Sequence, residues 1–285
     1  MNAPSPSLPP VGFAGVGNIG APMASCLLRA GYPLRVLDPR PAAVAPLRDA
    51  GATVADQVAD LAGCQVVALA VPDDAAVEQV LVGDGLLDLL PPGATVLVHS
   101  TILPQTAREL AGRAAAAGRV AVLDAPVSGG AERAAAGTLA VMVGGPAEAL
   151  ERVRPVLETL AAEVVHAGPA GAGAAVKLAN QLAMFAALAG VEEALALARR
   201  HEVATDTALK VLRAGTGDSW AARTWGFFDA LKADYDAAGT PVRYRPWSKD
   251  LWDVVAAARA AELSLPVAGL LAQLLPDQVE HPDRS

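Results

Sequence analysis

The residues with the clearest chemical potential are a lysine and two amides in Lys177-Leu-Ala-Asn180-Gln181, set inside an otherwise apolar run. Spacings of three and four put all three on one face of a helix. A cation beside two amides is a costly face on an apolar helix unless it meets a polar ligand. Burial also lowers a lysine pKa toward the range where it can pass a proton near neutrality. The competing reading is a lysine that snorkels to the surface. A second cluster, Ser128-Gly129-Gly130, follows the β-rich run Val120–Asp124. Its hydroxyl and two unhindered backbone N–H groups can hold a carboxylate, or can simply turn the chain.

The third cluster is Val11–Gly20, VGFAGVGNIG, which ends in Gly15-x-Gly17-x-x-Gly20 between a strand-like and a helix-like stretch. In that context the first glycine makes a tight turn, the second admits a pyrophosphate close to the backbone, and the third lets helix pack on strand. Gly15, Val16, Gly17, Asn18, Ile19 and Gly20 are therefore expected to cradle a dinucleotide at a helix N-terminus. Asp38, at the end of the second strand-like run, stands where a carboxylate accepts from the ribose hydroxyls and repels a 2′-phosphate, which favours NAD. Arg40, two residues on, can hold that phosphate instead, so NADP stays open.

These groups need a scaffold, and the pattern supplies one. β-rich runs at Val11–Ala14, Leu34–Leu37, Gln65–Val71, Thr95–His99, Val120–Asp124, Leu139–Val143 and Glu163–His166 are interleaved with Ala/Leu stretches. The helical candidates are Ala21–Ala30, Ala42–Ala50, Gln57–Ala62, Asp74–Val80 and Pro104–Ala117. Alternation of this kind with continuous apolar strands predicts a parallel sheet covered on both faces. After Gly168 the strands stop. Ala170–His201, free of proline and apolar on all sides, predicts one long buried helix. Helical patterns follow at Thr205–Ala214, Ser219–Ala237, Lys249–Ala261 and Pro266–Leu275. The expected architecture is an α/β Rossmann-type domain over residues 1–168 and an all-helical domain over 169–285, joined by the long helix. Residues 1–10 read as a frayed lead-in.

Composition bounds the function. The 285 residues are 53% hydrophobic and 18% charged, as in folded globular proteins. A net charge of −8 gives no footprint for nucleic acid or an anionic membrane surface. An anionic substrate must then be attracted by a few placed groups. Apolar runs interrupted by charge predict no membrane span, and the absence of a signal-like start points to the cytoplasm. Cys26 and Cys64 read as reduced core thiols. His99, His166, His201 and His281 are too scattered for a metal set.

Four motifs taken together resemble the β-hydroxyacid dehydrogenase family, which includes 3-hydroxyisobutyrate dehydrogenase and tartronate semialdehyde reductase. They are the glycine loop; Asp124–Gly130 (DAPVSGG) followed by Ala134-x-x-Gly137-Thr138-Leu139; Gly171-x-Gly173-x-x-x-Lys177-Leu-Ala-Asn180-Gln181; and Lys249-Asp250-Leu251. The resemblance implies an NAD(P)-dependent oxidoreductase acting on a small carboxylate substrate. It makes Lys177 the acid/base, Ser128, Gly129 and Gly130 the carboxylate holders, and Asn180 the group that positions substrate and lysine. Gln181 stands where many members have a second Asn, as in the tartronate semialdehyde reductases. Val71-Pro72 matches a loop on the adenosine side, Ser100-Thr101 a pair near the nicotinamide and ribose, and Lys249 a lysine near the cofactor and catalytic centre. Gly217-Asp218-Ser219-Trp220 resembles a segment of the four-carbon sugar-acid branch. Ile19-Gly20 replaces the usual Met-Gly, Cys26 replaces Asn or His, and the tail after Val267 is short. Imine reductases share the architecture but generally lack the lysine. A non-catalytic cofactor-binding scaffold is expected to have lost Lys177 or Ser128. The long apolar helix implies a homodimer or homotetramer.

Overall fold

The computed structural model describes residues 8–281. Most of the expected lead-in, and the HPDRS tail beyond His281, lie outside the described residues. The chain divides into two compact units, one ending at Lys177 and one beginning at Leu178.

The first unit is built on a nine-stranded sheet: β1 (Val11–Ala14), β2 (Leu34–Leu37), β3 (Thr53–Val54), β4 (Val66–Leu69), β5 (Thr95–Val98), β6 (Ala121–Asp124), β7 (Val127–Ser128), β8 (Leu139–Gly144) and β9 (Ala161–Gly168). Its order is β3-β2-β1-β4-β5-β6-β8-β7, with β9 beside β8. From β3 through β6 every pairing is parallel, in the order of a doubly wound dinucleotide fold. β8 departs from the expected all-parallel sheet, because it runs antiparallel to β6 and β7. The short segment between β7 and β8 returns the chain along the same edge, so no right-handed crossover is possible there.

Alternation along the strands splits the interior into two cores. Val11, Phe13, Val66, Ala68, Leu97 and Leu123 face one side, and Ala14, Val67, Leu69, Val96, Val98 and Val122 the other. The first side is covered by α1 (Gly20–Arg29), α2 (Pro41–Asp49) and, further along the chain, Ala147–Leu160. The second is covered by α3 (Asp74–Glu78), α4 (Leu86–Leu89) and α5 (Pro104–Ala117). α5 starts on Pro104 at its first position and stops at Gly118, whose φ of 68° lets the chain leave the helix. α6 (Gly130–Ala135) and α7 (Ala147–Leu160) were not expected from the pattern. Pro155 removes one helical N–H inside α7, but the stripe Leu150, Val153, Val156, Leu157 and Leu160 buries enough apolar surface to hold it. Gln57–Ala62 condenses to a single tight turn, Val58–Leu61.

α8 (Ala172–Arg200) leaves the first unit and continues into the second. Among the described residues it is the one helix long and apolar enough, by length and composition, to cross a membrane. It is not buried all round as expected. Leu178, Gln181, Phe185, Leu188 and Leu195 form a covered stripe, whereas Val176 and Leu197 are exposed. One chain covers only the stripe that its own later helices reach.

In the second unit α8 is followed by α9 (Thr205–Ala214), α10 (Trp220–Arg223), α11 (Phe227–Ala237), α12 (Pro246–Ala260) and α13 (Pro266–Glu280). The single helix expected over Ser219–Ala237 is broken, because Gly226 takes a φ of 92° that no helix accepts. The aromatic residues gather here around buried Trp247, with Phe228 and Tyr235 edge-on to it. Arg245, at the start of α12, is nearly buried and donates to both Glu280 carboxylate oxygens, to Asp236 and to the Thr240 carbonyl. It thus ties the ends of α11 and α13 to the first turn of α12.

His99 closes the join between β5 and β6. It is 4% exposed, and its Nδ1 lies 2.6 Å from the Ala125 carbonyl. Burial pushes its pKa down to about 4, against the opposing pull of that carbonyl. The folded protein therefore keeps His99 neutral at pH values where the unfolded chain is protonated. Stability is expected to be flat above pH 6.5 and to fall as pH drops toward about 4, by about 3 kcal/mol from this residue. Urea unfolding of wild type and His99→Gln across that range checks this. The variant should lose that part of the pH dependence, and an unchanged slope would contradict the assignment.

Candidate active site

The carboxyl ends of β1, β2, β4, β5 and β6 share one edge of the sheet, which is where open α/β folds bind ligands. Most of the groups singled out in the first unit emerge there: the glycine loop after β1, Asp38 after β2, Val71-Pro72 after β4 and Ser100-Thr101 after β5, with Asp124 at the end of β6 on the same edge.

The loop after β1 fits a dinucleotide. Gly15 has a φ of 86°, and a Cβ there would meet the Ala70 carbonyl at 2.5 Å. A Cβ on Gly20 would collide with the Gly15 carbonyl, so α1 packs directly against the turn. α1 has no acid in its first turn and no side-chain cap, so its N-terminal partial charge favours an anion. Asp38 is locked to this loop. Its Oδ2 accepts the Val16 N–H at 3.0 Å, and Arg40 forks onto it through Nε at 2.9 Å and a terminal nitrogen at 3.0 Å. Burial alone would raise the Asp38 carboxyl, but the bonds from Arg40 and Val16 hold it below its ordinary value. It is therefore an anion at neutral pH.

Neighbouring loops are laced to one another. Ser100 Oγ accepts the Val71 N–H at 2.9 Å, and Asp74 accepts the Leu103 N–H at 2.9 Å. Ser100 is buried as it makes this bond.

Asp124 holds the start of α8. It is 2% exposed, and its two carboxylate oxygens accept the N–H groups of Gly171 and Ala174, each at 2.8 Å. This is an N-cap supplied from 47 residues upstream. Burial raises the Asp124 carboxyl above its ordinary value, while the N–H groups of Gly171 and Ala174 pull the other way. Gly173 allows the approach, since a Cβ there would strike the Met142 and Asp124 carbonyls and come within 2.9 Å of the Gly144 nitrogen. The helix axis thus starts against the ends of β6 and β8. Lys177 lies four residues beyond Gly173, on the same helical face, and is 8% exposed. It is buried rather than snorkelling.

Ser128 does not simply turn the chain. It is the second residue of β7 and pairs with Ala140 of β8. Gly129, with a φ of 141°, precedes α6, and Gly130 is that helix's first residue. In the second unit, Gln181 is 4% exposed and Asp250 5% exposed. Gln181 Nε2 donates to Asp250 Oδ2 at 2.6 Å, and Asn180 Nδ2 lies 3.3 Å from Gln181 Oε1. Lys249 pairs with Asp253 at 2.6 Å and lies 3.7 Å from Asp250. Cys26 and Cys64 are free and buried, as expected. No cluster of potential metal ligands occurs among the described residues.

Comparison with known proteins decides the family. Residues 10–168 match a family model described as the NAD-binding domain of 6-phosphogluconate dehydrogenase. Residues 171–282 match one described as the NAD-binding region of NADP-dependent 3-hydroxyisobutyrate dehydrogenase. The chain belongs to the 3-hydroxyisobutyrate dehydrogenase family of NAD(P)-dependent oxidoreductases. Two relatives from Pseudomonas aeruginosa, a 3-hydroxyisobutyrate dehydrogenase and an NAD-dependent L-serine dehydrogenase, are 38% and 39% identical. Each alignment covers 93% of this chain and 90% of the relative. A solved 3-hydroxyisobutyrate dehydrogenase from Mycobacterium tuberculosis with L-serine superposes with a TM-score of 0.83 at 30% identity, covering 98% of this chain and all of the other. An imine reductase from Myxococcus stipitatus shares the fold at a TM-score of 0.67 and 20% identity, and nothing further. The chain is thus an NAD(P)-dependent dehydrogenase of hydroxy acids, as the motifs implied.

Sequence reasoning missed Asp124, Asp74 and Asp250 as site-building residues, and it named Ser100 without foreseeing its bond to the Val71 N–H. Asp124 and Asp250 stand inside motifs that were quoted for their neighbours, and an acid of that kind beside a Gly-x-Gly helix start is the signal that could have found the first. Gly173→Ala is expected to lower stability by about 1–3 kcal/mol through overpacking at the helix start and to reduce turnover with it. Thermal unfolding and initial rates check this; a variant that matches wild type in both would show that the close approach has no consequence.

Proposed function

We propose that this dehydrogenase interconverts a small β-hydroxy acid and its semialdehyde or keto acid, with Lys177 as general acid/base. The observation that supports this most is a buried lysine on a helix whose start is capped by Asp124 at the ligand-binding edge of the sheet. A bound nicotinamide cofactor supplies or accepts the hydride. Lys177 Nζ gives a proton to the substrate oxygen in reduction and takes it back in oxidation. Ser128 Oγ and the N–H groups of Gly129 and Gly130 hold the carboxylate, a local capture that a chain of net charge −8 requires. Asn180 positions substrate and lysine, and Gln181 shapes the pocket beside it.

On the cofactor side, residues 15–20 cradle the pyrophosphate, with Val71, Pro72 and Thr101 along the adenosine and nicotinamide ends and Lys249 toward the catalytic centre. NAD is the preferred cofactor, because Asp38 is ionised and its Arg40 fork has to open before a 2′-phosphate can take Arg40. Residues 1–168 form the dinucleotide-binding domain and 169–285 the substrate and subunit domain. The exposed apolar side of α8 suits a homodimer or homotetramer, and the cytoplasm suits a net-acidic chain with two unpaired thiols. 3-Hydroxyisobutyrate and L-serine are the first candidates for substrate, followed by tartronate semialdehyde, succinate semialdehyde and L-threonate.

Absorbance assays of NAD(P)H formation and consumption against these acids test the reading. Turnover should require the carboxylate. Lys177→Ala should lower kcat by about 10²–10⁴-fold with NADH binding retained; equal turnover in the variant, or turnover of substrates without a carboxylate, would overturn it. Asp38→Ala should shift the ratio of NADPH to NADH affinity upward by about tenfold. Fluorescence titration of the two reduced cofactors reads this, and an unmoved ratio would remove Asp38 from cofactor choice.

A further inference from the structure

The polar pair buried between α8 and α12 has a chemical direction. An ionised carboxylate only accepts hydrogen bonds, so Asp250 Oδ2, 2.6 Å from Gln181, fixes which end of that amide faces it: the NH2. Gln181 Oε1 must then point the other way, and it receives Asn180 Nδ2 at 3.3 Å. The second amide is oriented in turn, with Asn180 Oδ1 on the side of its amide turned from Gln181. Asp250 is itself held, because its Oδ1 lies 3.7 Å from the ammonium of Lys249, which is anchored on Asp253 at 2.6 Å. Gln181 and Asp250 are almost fully buried, so water cannot easily substitute for either partner.

We propose that Asp250 is a positioning residue: through the Asp250–Gln181–Asn180 relay it sets the orientation of the Asn180 amide. The proposal rests on the reading of Asn180 as the residue that positions substrate beside Lys177. An amide oxygen turned from Gln181 is an acceptor, the group that a substrate hydroxyl or ammonium needs. A flipped amide offers only donors there, and neither group could be held. A glutamine at position 181 is long enough to touch Asp250 across the helix pair and still receive Asn180, which ties the choice of Gln at this position to the acid on α12.

The relay can be reversed without being broken. Gln181→Glu alone places two carboxylates against each other. Combined with Asp250→Asn it restores a donor–acceptor pair, and the carboxylate introduced at position 181 still accepts Asn180 Nδ2. The chain has three asparagines, Asn2, Asn18 and Asn180, so asparagine-selective 15N labelling gives a readable side-chain amide spectrum of the intact protein. Asp250→Ala is expected to move the Asn180 NH2 resonances and to lower kcat by about tenfold or more, with NADH affinity within about twofold of wild type. Gln181→Glu should lower kcat at neutral pH, with partial recovery on the acid side as the carboxylate pair takes up a proton. The double variant should regain kcat to within about threefold and return the Asn180 resonances toward their wild-type positions. Asn180 resonances unmoved in Asp250→Ala would overturn the relay, as would a double variant no better than Gln181→Glu. Resonances that move and recover while kcat never changes would overturn the positioning role. If no acid is turned over by wild type, the catalytic reading of Asn180 fails, while the resonances still decide the relay.

Discussion

The structure of the first unit depends on one carboxylate meeting one helix end. Asp124, at the last position of β6, accepts two N–H groups from the start of α8. Hydrogen bonds to a charged group contribute about 1.5–3 kcal/mol each when both partners leave water together. More important is geometry, because the bonds fix where α8 begins relative to the sheet, and everything on its first turns inherits that position. Gly173 removes the side chain that would hold helix and strands apart. Lys177 follows by helical arithmetic and is buried, which suits the proton transfer proposed for it.

The cofactor side shows the same economy on a smaller scale. Backbone N–H groups of one loop are accepted by a side chain of the next: Val16 by Asp38, Val71 by Ser100, Leu103 by Asp74. Loops laced in this way lose little further freedom when a ligand arrives, which is how a preorganised site gains affinity. The second unit relies on Arg245, Glu280 and Asp236 to lock three helices at the point where α12 begins, one turn before Lys249 and Asp250.

Much of the fold was legible because two periods in the sequence are strong. The β-rich runs and the α5 and α9 boundaries follow from apolar alternation, an initial proline and terminal glycines. The antiparallel β8 was not legible, since a strand's direction is set by how its connection returns, which local pattern does not carry. Thr53–Val54 and Val127–Ser128 are too short to show a period, and Pro155 disguised α7. Of the candidate site, the glycine loop, Asp38, Ser128 and Lys177 were singled out by residue type. Asp124 and Asp250 did not, because each acts on a partner tens of residues away.

The central claim is that the amine of the buried residue Lys177 moves the proton. Chemical rescue tests it most directly: the rate of NADH oxidation by Lys177→Ala with a preferred semialdehyde, measured against added methylamine or ethylamine. The account predicts a slow variant whose rate rises in proportion to the protonated amine and then saturates, with substrate affinity preserved. A variant that is slow but indifferent to every small amine, or one that is already as fast as wild type, would contradict it.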